Sequence, residues 1–347
     1  MKILDDQMAR TIAEQALPAW GLSNPTIDLI SRSENIVFRV DTNPASGPSK
    51  TYVLRIHRPG YHTLDALNSE QTWTTILNER GLSVPMPKKT SDGQGYVPVR
   101  VSGTEMPPEI RYVGMVEWFE GTPMSEIIDD LPDEATKIDY FNQLGRIAAR
   151  LHNRTVDWLV PHTFYRHSFD QFGLMGDGML GQAPFWGRFW NAPQLSKEER
   201  DRLLPIRAAI YRRLANMQRN PQTYSLIHAD LHPGNVLIRG DEIHVIDFDD
   251  SGYGWHSYEL AVSVYYFLGR PDFETIQAAV IAGYRAERNL DDQVIDEIIE
   301  LIPLFLLIRC LALIGWTAAR PELGKMERIP RLVAQAFEIT RSRIYLW

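Results

Sequence analysis

The chain has 347 residues, 44% of them hydrophobic, enough to bury a sizeable core and, on length, to form roughly two domains. Its formal net charge of −8 argues against nucleic-acid binding through a basic face. The single cysteine, Cys310, excludes an intramolecular disulfide and any multi-cysteine zinc site, and fits a reducing compartment. It lies in an apolar run, where a small core residue is expected rather than a nucleophile.

The opening residues, MKILDDQMAR, lack the apolar stretch of a signal peptide. From there the first third reads as strands around one helix. "TIDLIS", "NIVFRV" and "TYVLRI" are rich in β-branched and aromatic residues, and "TNPASGPSK" (42–50) has the composition of a hairpin connection. In "TYVLRIH" Tyr52, Leu54 and Ile56 share one face, and Val53, Arg55 and His57 the other. "TLDALNSEQTWTTILNERG" has helical periodicity and ends at Gly81, a C-terminal cap. On this helix Glu70 shares a stripe with Leu67, Trp73, Thr74 and Leu77, so its carboxylate points with core residues and needs a buried cation. Arg55 is the natural partner. "YVPVRV" and "RYVGMVEWF" supply two further strands.

After "EGTP" (120–123) helical periodicity dominates. "FNQLGRIAARLH" aligns Leu144, Ile147, Ala148 and Leu151, and His152 on that stripe reads as a core histidine. "SKEERDRLLPIRAAIYRRL" opens with a capping box, Ser196 and Glu199. The last ninety residues look helical throughout. Their most apolar segment, "LIPLFLLIRCLALIGW" (301–316), contains Pro303 and Arg309 and falls short of the roughly 18–20 residues of a membrane span, so a buried helix is expected. The simplest architecture is α+β and bilobal, a small β-rich lobe over 1–118 and a larger helical lobe over 119–347, with a ligand cleft between them. A cytoplasmic protein without nucleic-acid or membrane partners is expected. The oligomeric state is not legible.

"LIHADLHPGNVLIRGDEIHVIDFDD" (226–250) sets five aspartates beside β-prone runs. Crowded carboxylates repel one another unless a cation sits between them. Two strands, "YSLIHA" and "HVIDF", are expected to flank the loop "DLHPGN" and the turn "RGDE". Asn235 follows Asp230 by five residues, and Asp247 follows Asn235 by twelve. That is the spacing of phosphoryl-transfer kinases, in which one carboxylate accepts a hydroxyl proton and another holds Mg²⁺. An amide adds a neutral oxygen ligand without more repulsion, and oxygen-only ligands suit magnesium rather than zinc. Asp230 is therefore the candidate base, and Asn235 and Asp247 the candidate metal ligands. His228 reads as structural. His232 suits either a phosphate contact or loop packing, and Asp249 and Asp250 either a second ion or a solvated turn.

"HADLHPGNVL…VIDFDD", "YVLRIHRPG", "SEQTWTTILNERGLSVPMP", "VEWFEGTPM" and "LGRIAARLH" together resemble the aminoglycoside phosphotransferase and choline kinase-like superfamily over most of residues 30–265. The nearest subgroup holds homoserine kinase-like enzymes and bacterial stress-response kinases. The resemblance implies a protein-kinase-like fold, ATP and Mg²⁺ as cofactors, a nucleotide-binding N-terminal lobe, and a catalytic and acceptor-binding C-terminal lobe. It implies that Arg55, where lysine is commoner, holds the α/β-phosphates and that Glu70 orients it, the other reading being a structural ion pair. It places an adenine-binding hinge at Glu117–Gly121, with Glu117 and Phe119, although Trp118 and Phe119 also suit a core. No G-x-G-x-x-G exists here; Ser33, Glu34 and Asn35 offer either a backbone nest for phosphates or a plain polar turn.

No Ala-Pro-Glu follows Asp247-Phe248, and helical pattern resumes at "SYELAVSVYYF" (257–267), which favours a small hydroxyl acceptor. "YELA" departs from the commoner Asp-Leu-Ala and leaves Glu259 without a role. Aromatics (Tyr253, Trp255, Tyr265, Tyr266, and Phe185 to Trp190) with Asp249, Asp250 and Glu259 suggest a pocket for an ammonium group or, alternatively, core packing. An amine-bearing small alcohol is the expected acceptor. A protein serine or threonine is the second reading, and a nucleotide-binding pseudoenzyme the third.

Overall fold

The computed structural model describes residues 4–45, 47–103, 106–177 and 183–342. The β-branched runs of the first third become β1 (Thr26–Arg32), β2 (Ile36–Asp41), β3 (Thr51–Ile56), β4 (Tyr96–Gly103) and β5 (Met106–Glu117). They form one antiparallel sheet in the order β1-β2-β3-β5-β4. In β3 Tyr52, Leu54 and Ile56 are buried, while Val53 and Arg55 alternate onto the other face.

Two helices, rather than one, accompany this sheet. The expected one is α2 (Leu64–Glu79), capped by the Thr63 hydroxyl and ended by Gly81 in the left-handed conformation (φ +84°). The other, α1 (Asp6–Ala16), starts where the Asp5 carboxylate accepts the Met8 N–H at 2.7 Å. Its buried stripe is Ala9, Ile12, Ala13 and Ala16, spaced as one helical face opposite a polar one. By its internal contacts the chain divides after Gly121, and Val160–Tyr165 groups with this first unit.

The second unit begins with β6 (Thr122–Pro123), α3 (Met124–Ile127) and α4 (Glu134–Val156). In α4 Leu144, Ala148, Leu151 and His152 are buried as expected, but Ile147 is only half-buried and Gly145 and Ala149 turn inward. Then come α5 (Gln171–Met175) and α6 (Lys197–Asn216), the latter opened by the Ser196–Glu199 capping box. Four short strands follow: β7 (Tyr224–Ile227), β8 (Val236–Arg239), β9 (Glu242–Val245) and β10 (Gly252–Trp255).

Their pairing corrects the expected strand–loop–strand. β7 pairs with β10, whereas β9 pairs with β8 in a hairpin turned at Gly240 (φ +59°), and β8 also pairs with β6. The run "VLIR" is thus a strand of its own. The run "HVIDF" stops at Val245 because Asp247 adopts a left-handed backbone (φ +65°).

The remaining helices are α7 (His256–Tyr265), α8 (Phe273–Glu287), α9 (Asp292–Glu300), α10 (Ile302–Ala318) and α11 (Ile329–Ser342). Every residue of α7 is buried, and so is α10 from Leu304 to Leu311, which makes the most apolar segment a core helix. The fold is α+β, with a β-rich N-terminal region and a mainly helical C-terminal one.

Candidate functional site

The segment between β7 and β8 is held by its own polar groups. The His228 Nε2 lies 2.9 Å from the Ile246 carbonyl, and its Nδ1 accepts the Asp230 N–H at 3.3 Å, so the proton is on Nε2. His232 Nδ1 accepts the Gly234 N–H at 2.9 Å, which turns Nε2 to within 3.4 Å of Asp230 Oδ2. The Asn235 amide donates to the Asp230 carbonyl (3.0 Å) and to Oδ2 (3.1 Å). Those bonds use its nitrogen, so its oxygen is the atom that could serve a metal. The Ile246 N–H donates to the Asn235 carbonyl at 3.0 Å, and that bond ties the loop to the strand end that carries Asp247.

Glu259 explains how the loop keeps its shape. Ala229 sits at φ +67°, a conformation that costs an L-residue on the order of 1 kcal/mol. The fully buried Glu259 carboxylate accepts the His228 N–H (2.7 Å) with one oxygen and the Ala229 N–H (2.8 Å) with the other. Burial pushes its carboxyl up to about 7, against the pull of those two N–H groups. The role that the sequence left open is to fix the backbone before Asp230. It also corrects the placement of Glu259 in an ammonium pocket. Behind it His152 is wholly buried with its ring stacked on His256 at 3.8 Å, and the Tyr284 hydroxyl lies 2.9 Å from Nδ1. Burial, then the neighbouring His256, keeps His152 neutral.

Asp230 itself is partly exposed and lies between two basic side chains, Arg309 and His232. The Arg309 Nη2 lies 2.5 Å from Oδ1, and the Arg309 side chain is 5% exposed. Burial raises the Asp230 carboxyl, but His232 and Arg309 outweigh it and hold the group well below the usual carboxylate range. An ionised carboxylate fixed on both oxygens is an oriented hydrogen-bond acceptor for a hydroxyl. In sequence Arg309 showed only as a break in an apolar run. The argument that found a partner for Glu70 applies to it equally, since a charge on a buried helix needs a counter-charge.

In the first unit Arg55 Nη2 lies 2.5 Å from Glu70 Oε1, with side chains 11% and 3% exposed. The strand and helix faces read from the sequence do bring these two together. The Ser33 N–H donates to the Asn35 carbonyl at 3.0 Å, so that donor is spent within the turn. Asn35 is buried, and its side-chain oxygen accepts the Arg58 N–H at 3.3 Å, while Arg58 Nε lies 3.4 Å from Glu34. At the end of β5 the Glu117 N–H donates to the Met86 carbonyl (2.9 Å) and the Trp118 N–H to Thr51 (3.3 Å). Those two N–H groups are spent within the fold and are not left to adenine. Phe119 is half-buried.

The segment after Asp247 is gripped by Arg166, which donates to the Ser251 carbonyl at 2.5 Å and to that of Asp249. Asp250 Oδ2 accepts the Trp186 indole N–H at 3.0 Å, and Trp186 stacks on Phe169 while Phe185 stacks on His167. Trp255, Tyr265, Phe189 and Trp190 are core residues, and Asp249 is buried. Tyr266 remains 50% exposed, with its ring 5.2 Å from His232 and its hydroxyl 3.5 Å from Arg309 Nη2.

Asn235 and Asp247 offer one neutral and one anionic oxygen, a donor set that fits a hard divalent cation such as Mg²⁺.

Residues 27–293 match the family described as "Phosphotransferase enzyme family". A solved microcompartment-associated aminopropanol kinase is 30% identical and superposes with a TM-score of 0.76, over 96% of this chain and 98% of its own. An amicoumacin kinase solved with AMP-PNP, Ca²⁺ and Ami gives a TM-score of 0.71 at 20% identity, over 95% of this chain and 93% of its own, a likeness of fold. The amicoumacin kinase of Bacillus subtilis (strain 168) is 22% identical over 88% of this chain and 83% of its own.

Proposed function

The chain belongs to the phosphotransferase enzyme family and is a kinase, a phosphotransferase with an alcohol group as acceptor, and from that premise we propose that it uses ATP and Mg²⁺ to phosphorylate a small amine-bearing alcohol. The observation that carries this reading is the arrangement around Asp230. Arg309, Asn235 and His232 fix its carboxylate, Glu259 fixes the backbone before it, and Asn235 connects it to the strand end of Asp247. The 30% identity with an aminopropanol kinase supports an amine-bearing acceptor, and a kinase of the same fold binds an ATP analogue with a divalent cation.

In this reading residues 1–118 form the nucleotide-binding lobe and 119–347 the catalytic and acceptor-binding lobe. Arg55, oriented by Glu70, holds the α/β-phosphates through its guanidinium fork. The backbone of Asn35 borders the phosphates, and the Glu117 carbonyl and Phe119 border the adenine. Asn235 and Asp247 hold Mg²⁺, which when bound offsets charge on the phosphates. Asp230 accepts a hydrogen bond from the acceptor hydroxyl, aims its oxygen at the γ-phosphorus, and takes the proton as the new P–O bond forms and the bond from the γ-phosphorus to the bridging oxygen breaks, releasing ADP. The stretch from Asp247 to α7 holds only the short β10, too little chain for a long activation segment, which favours a small acceptor.

ADP release measured across amino alcohols, hydroxy amino acids, aminoglycosides and neutral sugars tests this. Acceptor-dependent release is expected with amine-bearing alcohols. Release with neutral sugars alone contradicts the reading, and transfer to protein serine or threonine alone favours a protein kinase.

A further inference from the structure

A bare carboxylate is a poor receptor for one end of an amino alcohol. Its charge prefers the ammonium group to the hydroxyl, and an acceptor bound that way round cannot react. Asp230 is not bare. Arg309 projects from α10, a helix otherwise apolar along its buried face, and its Nη2 reaches Asp230 Oδ1 at 2.5 Å. It is 4% exposed, and its Nε is buried without a hydrogen-bond partner, so the carboxylate is its principal counter-charge. Keeping a guanidinium in such surroundings is costly unless it is paired, and truncating one member leaves the other charge uncompensated. Asp230 Oδ2 accepts from Asn235, and the Asp230 side chain is 23% exposed.

We propose that Arg309 is a specificity-determining and positioning residue. By holding Oδ1 and cancelling the charge of Asp230, it makes the base select the hydroxyl end of an amine-bearing acceptor and reject the ammonium end. The proposal rests on the reading of the acceptor given above. It gives the site a charge logic. The Asp230–Arg309 pair is neutral overall, loss of Arg309 leaves one negative charge, and loss of the Asp230 charge leaves one positive charge. A hydroxyl is indifferent to these changes at long range, whereas an ammonium is not.

Propylamine, an amine without a hydroxyl, is the probe, its affinity measured by calorimetry with Mg²⁺ and a non-hydrolysable ATP analogue. In Arg309→Met its affinity should rise about tenfold or more, and amino alcohols should inhibit their own phosphorylation at high concentration. Arg309→Lys, which keeps the charge but loses the fork, should retain wild-type discrimination against propylamine while kcat falls. The neutral double variant Asp230→Asn/Arg309→Met should return propylamine affinity to the wild-type value. Equal affinity in folded Arg309→Met and wild type overturns the proposal, as does a Lys variant as amine-sensitive as the Met variant. Should Arg309→Met fail to fold, Arg309→Gln, which removes the charge but keeps hydrogen-bonding groups, takes its place: propylamine affinity should rise about tenfold, and an affinity equal to wild type overturns the proposal. A wild type that phosphorylates only neutral alcohols contradicts the reading of the acceptor, and the propylamine affinities still judge the pair.

Discussion

Glu259 shows how one buried side chain can serve activity at the expense of stability. Both its oxygens must accept backbone N–H bonds to hold Ala229 and so aim Asp230, and only the carboxylate can do that. With the carboxyl pushed up to about 7 by burial, falling pH protonates it, turns one oxygen into a donor and loosens the loop. The kcat profile at saturating substrates should therefore carry an acid limb near pH 7, absent in Glu259→Gln, whose kcat should be lower by roughly 10–100-fold. Stability runs the other way. A folded pKa above the ordinary 4.5 favours the fold fully below about 4.5, and that contribution is lost as pH rises through 7. Relative to the non-titrating Gln variant, wild type should lose melting temperature across that window. An acid limb that survives in the Gln variant contradicts the assignment. At this scale the sequence yielded Arg55 and Glu70 because strand alternation and helical spacing each fix a face. It did not yield the Arg309 partnership, because the two residues lie 79 positions apart and only tertiary packing joins them.

At the scale of elements, two glycines set how closely α4 and α8 approach. A Cβ at Gly145 of α4 would lie 2.0 Å from the Val280 carbonyl of α8, and one at Gly283 of α8 would lie 1.9 Å from the Asn142 carbonyl of α4. Backbone, not a flexible side chain, is in the way on both sides. Gly145→Ala should therefore lose about 1–3 kcal/mol through overpacking, despite a gain of up to about 1 kcal/mol in helix propensity. Denaturant unfolding measures it, and a neutral or stabilising result means that the helices sit farther apart. Because α4 carries His152 beneath Glu259, kcat should fall with stability. Elements with strong local signals were legible, such as the capping box of α6 and the Gly81 stop of α2. α1 was overlooked, although its Asp5 cap and the spacing of Ala9, Ile12, Ala13 and Ala16 were there to be read. The pairing of β7 with β10 was not legible, because it depends on the turn that Asp247 forces in the chain.

For the molecule as a whole, the α+β architecture was readable because the change from period 2 to period 3.6 near residue 120 is a property of the chain itself. The acceptor was not, because the side chains that meet around Asp230 come from distant segments: Arg309 on Asp230, and Tyr266 beside His232. In the proposed mechanism Asp230 takes the acceptor proton while Asn235 and Asp247 serve the metal. Acceptor-dependent ADP formation at saturating Mg-ATP, compared between wild type and Asp230→Asn with Mg-ATP affinity measured alongside, tests it most directly. Turnover should fall by roughly 10²–10⁴-fold, the usual share of a general base, while Mg-ATP affinity stays unchanged; Asp247→Ala should lose that affinity instead. An Asp230→Asn enzyme that turns over at the wild-type rate would contradict the account.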